Sequence, residues 1–339
     1  MKTNRPTFRS DEYADDSPDI SAQKPFKGSD PYRHVAVAYS TSEEAIPIGI
    51  RVGRNQLKKY SEELTQRDRE ILASLKKCKF LLTGQIQRLH IINASTQKAA
   101  RRAAARELRK LKDYGLVATL ERRIGGSRAG SGSLIWHLTE AGERFLVMDN
   151  PEQYTRRRYL EPSRMFLKHS LAISECYVQL VEICRRTPGL TLLTADWEPD
   201  CWRPYTQHGK IVSLKPDLFI ATKSDGYEDR WFIEIDLSTE SPSTVIGKCD
   251  RYRDYYRSGV EQKQFGVFPV VVWLVLDAGR KERLRSAIQE AYPKGGKLFI
   301  VITADEFERL IRQGFDAKDL SNVYWNKPRA HAWSFHSDV

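Results

Sequence analysis

Three acidic residues in the second half of the chain, Asp217, Glu234 and Asp236, are spaced as ligands of one metal ion. Glu234 and Asp236 lie two residues apart in the strand-like run RWFIEID, so both side chains leave the same face of a strand. Asp217 lies 17 residues before Glu234, in a run that we expect to form the neighbouring strand. Clustered carboxylates repel one another unless a hard cation such as Mg²⁺ or Mn²⁺ neutralises them. Such a cation activates water against a phosphodiester, so the spacing predicts a hydrolytic metal site.

Two lysines and a further glutamate are candidates to complete this site. Lys215 lies two residues before Asp217, and Lys248 lies on a helix predicted at 243–258; either could supply positive charge near a reacting phosphate. Glu175, on a predicted helix further upstream, is a candidate fourth carboxylate. The predicted catalytic residues are Glu175, Asp217, Glu234, Asp236 and Lys248, with Lys215 as the alternative to Lys248.

Three tyrosines, Tyr252, Tyr255 and Tyr256, lie on the same predicted helix as Lys248. A tyrosine could act as a nucleophile that forms a phosphotyrosyl link. Aromatic residues at helical spacing more often pack in a core, and the sequence leaves both roles open.

Alternating helices and strands are expected around the acidic residues, which is typical of an α/β domain with a mixed sheet. The patterns predict helices at 166–186, 243–258, 280–292 and 304–313. They predict strands at 190–197, 211–222, 230–237, 268–277 and 297–302.

A second group of residues points to nucleic acid. Residues 95–128 hold ten basic and three acidic side chains, a net charge of +7, out of +11 for the whole chain. Within it, a helix after Thr96 carries basic residues interleaved with alanines, and small alanines let a helix approach a DNA groove closely. We predict that this helix contacts DNA through Gln97, Lys98, Arg101, Arg102 and Arg106. A Gly/Ser-rich loop after it is predicted to follow the phosphates with Arg122, Arg123 and Arg128.

The elements around this helix favour a winged helix-turn-helix. Thr65, with Asp68 three residues later, predicts a first helix, and Thr83 is expected to cap a second. The basic helix is expected to end at Gly115 and to be followed by strands at 116–123 and 133–139. The alternative is a winged helix that binds protein and whose basic face is merely solvated.

Composition excludes several other classes. The longest apolar run, 268–276, is far shorter than the roughly 20 residues of a membrane span. The N-terminus has no apolar stretch that could serve as a secretory signal. The five cysteines include no C-x-x-C pair, which argues against a disulfide scaffold or a thiolate zinc site and fits the cytoplasm. No G-x-x-x-x-G-K-[ST] loop occurs, so we expect no nucleotide cofactor.

The order of elements around Pro216-Asp217 and Glu234-Ile235-Asp236 resembles the PD-(D/E)xK nuclease superfamily. The superfamily's lysine is replaced here by Asp236, which is why Lys248 and Lys215 are considered. Both halves together resemble the replication-relaxation family of plasmids and integrative elements. The resemblance is carried by RDREILASLKKCKFLLTGQIQRL, GSLIWHLTEAGERFL and KPDLFIAT with WFIEIDLSTES. It implies an α/β (α+β overall) chain, with a winged helix-turn-helix followed by a restriction-endonuclease-like domain.

The expected organisation has four parts: a loosely ordered segment at 1–60, a winged helix at 61–150, a nuclease-like domain at 160–313 and a tail at 314–339. The expected partner is double-stranded DNA, with no membrane. The leading hypothesis is a Mg²⁺- or Mn²⁺-dependent DNA nickase. The alternative is a non-catalytic replication initiator or transcriptional regulator, in which the second domain dimerises or recruits replication or mobilisation proteins.

Overall fold

The computed structural model describes residues 52–120, 134–148, 162–224, 226–293 and 298–314. The first two ranges hold five helices and three short strands. In chain order they are α1 (Arg54–Glu63), α2 (Gln66–Cys78), β1 (Leu81–Leu82), α3 (Thr83–His90), α4 (Gln97–Asp113), β2 (Val117–Thr119), β3 (Ile135–Leu138) and α5 (Glu140–Leu146). Helix α1 begins inside the segment that was expected to be loosely ordered.

Capping residues define the start of α2 as the sequence predicts. The Thr65 hydroxyl accepts a hydrogen bond from the Asp68 backbone N–H, and the Asp68 carboxylate accepts one from the Thr65 N–H. Two backbone donors at the helix start are thereby satisfied. Asp68 is fully buried and is neutralised by Lys110 of α4, whose Nζ lies 2.5 Å from Oδ2. This ion pair fixes α4 against α2.

Thr83 differs from its expected role as a helix cap. It is the first residue of α3, and the Gln85 side chain accepts from the Leu82 backbone N–H instead. The Thr83 hydroxyl accepts a hydrogen bond from the Trp136 indole N–H at 2.9 Å. The hydroxyl therefore joins α3 to the antiparallel sheet β1-β3-β2, which follows the helices.

Gly142 lets α5 lie directly against this sheet. A Cβ atom at position 142 would clash with the backbone carbonyl oxygen of Leu116. Only glycine allows this approach, because it has no side chain. The glycine in the run LTEAGERFL is thus explained by packing.

The later ranges hold the larger sheet and its helices. In chain order they are α6 (Arg164–Arg186), β4 (Thr191–Trp197), β5 (Arg203–Gln207), β6 (Lys210–Leu214), β7 (Leu218–Ser224), β8 (Tyr227–Asp236), α7 (Pro242–Ser258), α8 (Val260–Phe265), β9 (Val270–Val275), α9 (Ala278–Ala291), β10 (Phe299–Thr303) and α10 (Ala304–Gln313). None of the helices in the described ranges has the length and apolar content needed to cross a membrane.

The main sheet is mixed, as predicted, with strand order β10-β9-β8-β7-β4. Strands β8, β9 and β10 are parallel, whereas β7 and β4 pair antiparallel. One face packs against α6 and α10, and the other packs against α7 and α9. The chain is therefore an α/β protein in which helices cover both faces of the sheet.

The strand predicted at 211–222 is two strands of different sheets. Strand β6 pairs with β5 in a separate hairpin, and β7 joins the main sheet. Pro216 lies between them, and proline cannot donate a hydrogen bond to a strand ladder. Lys215 and Asp217 therefore lie in the connection between β6 and β7. They do not share one strand, which was the expectation from their spacing. Strand β5 and helix α8 were not predicted.

One hydrophobic core runs through both halves of the described chain. It begins with Leu57 of α1, continues through the buried residues of α2, α3 and α4, and includes α6 and the adjacent sheet face as far as Ile311 of α10. A second cluster fills the space between the opposite sheet face and α7 and α9.

Candidate functional site

Asp217 lies in the connection that enters β7, and its carboxylate is fixed by two neighbours. Its Oδ2 accepts a hydrogen bond from the backbone N–H of Ile235 at 2.8 Å, which holds it beside the end of β8. Its Oδ1 lies 3.0 Å from Nε2 of His169 on α6. The Asp217 side chain is 14% exposed, so solvent and small ions can reach it.

Glu234 lies next to Ile235 on β8 and is almost completely buried. Its Oε1 accepts a hydrogen bond from the Tyr252 hydroxyl at 2.6 Å, and Nζ of Lys248 lies 3.4 Å from Oε2. Both partners come from α7. We call His169, Asp217, Glu234, Lys248 and Tyr252 the acidic cluster.

The electrostatics of the acidic cluster show that two carboxylates are close together. Burial and the negative charge of Asp217 raise the pKa of Glu234 to about 8, against the opposing effects of Lys248 and Tyr252. Burial alone would lower the pKa of Lys248, but Glu234, Glu240 and Asp217 outweigh it and raise that pKa. At neutral pH Glu234 therefore favours its protonated form unless further positive charge is brought next to it.

The pKa of His169 is also raised by a neighbouring carboxylate. Burial lowers its pKa, but the hydrogen bond to Asp217 and the charge of that carboxylate outweigh burial and raise the pKa. The imidazole is thereby biased towards its protonated form next to Asp217.

Asp236 does not join the acidic cluster, which corrects its predicted role as a metal ligand. Its Oδ2 lies 2.6 Å from Nε of Arg280 on α9, and its Oδ1 accepts from the Ser238 backbone N–H at 2.8 Å. Both charged side chains are buried. Because Arg280 already neutralises this carboxylate, Asp236 has a structural role.

Glu175 is likewise committed elsewhere. Its carboxylate binds Arg88 of α3 at 2.6 Å and accepts from the Gln85 amide at 3.0 Å. It faces the N-terminal elements rather than the acidic cluster. Lys215 is exposed, and its Nζ lies 4.1 Å from the centroid of the Trp202 ring. Of the two candidate lysines, Lys248 is the one that reaches Glu234.

Within the described ranges, no three His, Cys, Asp or Glu side chains are arranged to hold one metal ion. The predicted three-carboxylate site is therefore not formed there, since Asp236 pairs with Arg280. Asp217, in the connection that enters β7, and Glu234, on β8, remain as two hard oxygen donors.

The three tyrosines divide between core and surface. Tyr252 and Tyr255 are buried in the hydrophobic cluster between α7 and the main sheet. Tyr256 is 45% exposed, and its ring packs edge-to-face with that of Phe268. Burial and the charge of Glu234 raise the pKa of Tyr252 well above its ordinary value, which disfavours the phenolate that a nucleophile requires. Packing explains the spacing of Tyr252 and Tyr255.

Helix α4 presents the basic surface that the sequence predicts. Thr96 caps it, and Ala100, Ala104, Leu108 and Leu111 form its buried stripe. Five exposed residues of this helix make no hydrogen bond or ion pair with the described parts of the chain: Gln97, Lys98, Arg101, Arg102 and Arg106. We call these five residues the α4 surface. The loop residues Arg122, Arg123 and Arg128 lie outside the described residues.

Residues 72–271 match the family model described as replication-relaxation. The protein belongs to this family. Membership indicates a role in the replication or relaxation of plasmids or other mobile elements. The match includes α4 and every residue of the acidic cluster, but it ends before Arg280. No curated protein and no solved structure matches the chain.

The sequence did not predict that His169 contacts Asp217 or that Arg280 pairs with Asp236. Nothing in the spacing of His169 links it to Asp217, 48 residues away. Arg280 had a usable signal, because β8 and β9 are parallel and their carboxyl ends meet at the same sheet edge. A residue just after β9 is therefore a natural partner for a buried carboxylate at the end of β8.

Proposed function

We propose that this protein is a metal-dependent DNA nickase, which binds duplex DNA through the α4 surface and cleaves one phosphodiester at the acidic cluster. The observation that carries the proposal is the pairing of Asp217 and Glu234. The backbone of β8 and the side chains of α7 hold these carboxylates near each other, and burial together with the charge of Asp217 raises the pKa of Glu234 to about 8. A divalent cation bound there would lower that pKa and stabilise both ionised carboxylates.

Asp217 and Glu234 are the residues that would hold Mg²⁺ or Mn²⁺. Their carboxylate oxygens suit these cations, and the exposed part of Asp217 leaves room for water. A bound ion would lower the pKa of its water and offset charge on the phosphate. Water molecules would complete the coordination, since the described residues form no group of three carboxylate or imidazole ligands there.

The remaining side chains of the cluster have separate roles in this proposal. Lys248 places a positive charge beside Glu234, where it would stabilise charge developing on the phosphate. Tyr252 orients Glu234 through its hydroxyl, and His169 orients Asp217. We class the last two as positioning residues.

DNA binding rests on the α4 surface. Its cations have no internal partners among the described residues, so they are available to phosphates and base edges. The alanines between them allow close approach to the major groove. We place the activity in the cytoplasm, with plasmid DNA as the substrate.

The test is conversion of supercoiled plasmid to open circle. We expect conversion with Mg²⁺ or Mn²⁺ and none with EDTA. Asp217→Ala should abolish it, whereas Glu228→Gln, at the exposed start of the same strand as Glu234, should not. Failure of the wild-type protein to convert plasmid at any metal concentration would reject the nickase proposal.

A second candidate function is a non-catalytic initiator or regulator. It is favoured by the Asp236–Arg280 and Glu175–Arg88 pairs, which remove two of the four predicted carboxylates from the site. In that case the larger sheet would serve for dimerisation or for recruitment of replication or mobilisation proteins. Sequence-specific binding to DNA without cleavage would support it.

A further inference from the structure

Helix α3, which precedes the α4 surface, is bound to α6 through all three nitrogens of one guanidinium. Arg88 donates from Nε and Nη2 to both oxygens of Glu182, at 3.0 and 2.5 Å, and from Nη1 to Glu175 at 2.6 Å. A bidentate pair fixes direction as well as distance, because the planar fork fits the carboxylate in one orientation. Burial opposes the charged form, but the two carboxylates outweigh it and raise the pKa of Arg88.

Other polar contacts reinforce the same interface. The buried Gln85 amide donates to the backbone carbonyl of Leu171 and to Glu175. In the opposite direction, Arg185 of α6 donates to the carbonyl oxygens of Arg88 and Leu89 at the end of α3. These bonds satisfy carbonyl groups that a helix C-terminus leaves free.

The same helix, α6, reaches the acidic cluster through His169 and its contact with Asp217. Glu182 follows His169 by 13 residues, which is about 20 Å along a helix. Helix α4 packs in turn on α3 and shares its hydrophobic core with α6. A continuous path of packed elements thus connects the α4 surface to Asp217.

We infer that the α3–α6 interface holds the DNA-binding elements and the acidic cluster as one rigid body, and that Arg88 is the positioning residue that sets the offset between the bound sequence and the nick. This inference rests on the proposed function for its cleavage readout. A hinge between the two parts would let the cluster reach several phosphates, whereas a rigid body reaches one.

Nick positions can be mapped at single-nucleotide resolution on a supercoiled plasmid that carries the binding site. We expect one dominant position for the wild type and several positions for Arg88→Ala. Arg88→Lys keeps the charge but loses the bidentate fork, and it should give an intermediate spread. The control is Arg186→Ala, which removes an exposed ion pair on α6 with Glu308. A single unchanged position in both Arg88 variants would overturn the inference.

A distance measurement tests the rigid body without any cleavage. Spin labels would be placed at Arg109→Cys on α4 and Arg257→Cys on α7, both exposed, in a Cys184→Ser background because the other four cysteines are buried. The wild-type background should give one narrow distance distribution, and Arg88→Ala should broaden it. If the wild type does not nick, the proposed function fails, but this distribution still decides the inference. A distribution that is broad in the wild type, or unchanged by Arg88→Ala, would overturn it.

Discussion

The acidic cluster and the α4 surface use charge in opposite ways. In the acidic cluster every charged side chain has a partner within the protein, and burial together with the neighbouring Asp217 carboxylate raises the pKa of Glu234, whereas neighbouring carboxylates outweigh burial and raise the pKa values of Lys248 and His169. On the α4 surface the cations are exposed and have no partner among the described residues. Internal partners fix a geometry, whereas free charges bind something external. This contrast is why we propose chemistry for the first region and DNA recognition for the second.

The largest effect is expected when a carboxylate of the cluster is removed. Asp217→Ala should reduce nicking at least about 1000-fold, because loss of a metal ligand removes several kcal/mol of transition-state stabilisation. Binding of the same DNA, measured by fluorescence anisotropy, should be unchanged. Loss of binding in this variant would break the separation between the two regions.

Removing a buried structural charge should instead affect folding. Arg280→Met leaves Asp236 buried without its partner, and we expect the free energy of unfolding in urea to fall by about 3 kcal/mol. Arg106→Met, on the α4 surface, is the matched control and should leave stability unchanged. Equal stability of the two variants would show that the buried pair is not what secures the end of β8.

Substitutions on the α4 surface should change the affinity for DNA and leave stability unchanged. Arg101→Ala combined with Arg102→Ala should weaken DNA binding about tenfold at moderate salt, a loss of about 1.4 kcal/mol. If both contact phosphates, the slope of log K against log salt should also decrease by about 1.8, at roughly 0.9 per contact. The melting temperature should not change. Unaltered affinity would remove α4 as the DNA-binding element.

The smallest effect is expected for Arg128. In a Gly/Ser-rich loop it can follow phosphates but is not held against one base edge. Selection of binding sites with Arg128→Ala should return the wild-type consensus, with an affinity reduced by only a few-fold, on the order of one phosphate contact. A changed consensus would extend base recognition beyond α4.

Local patterns were sufficient to predict much of this structure. The caps of α2 at Thr65 and of α4 at Thr96 depend on residues three positions apart, and both helices begin where the sequence predicts. Asp217 and Glu234 were placed on neighbouring elements by their order in a strand-rich segment. In each case the deciding interaction is short in sequence or follows from the pairing of successive strands.

Long-range partner choice could not be predicted in the same way. Arg88 and Glu182 are 94 residues apart, and nothing local to either residue specifies the pair. Asp236 was predicted as a metal ligand and Glu175 as a further catalytic carboxylate because carboxylates were counted without the arginines that neutralise them. Assigning a buried carboxylate requires the whole set of cations that the fold brings to it.

The anchoring of Asp217 by the backbone of Ile235 affects which substitutions the site can tolerate over time. The bond uses the main-chain N–H, while the Ile235 side chain packs into the core between the sheet and α6. Sequence drift among aliphatic residues at position 235 would therefore leave the carboxylate where it is. Proline alone lacks the N–H and would release it. The position of the Asp217 carboxylate is thus inherited with the strand rather than with any particular side chain beside it.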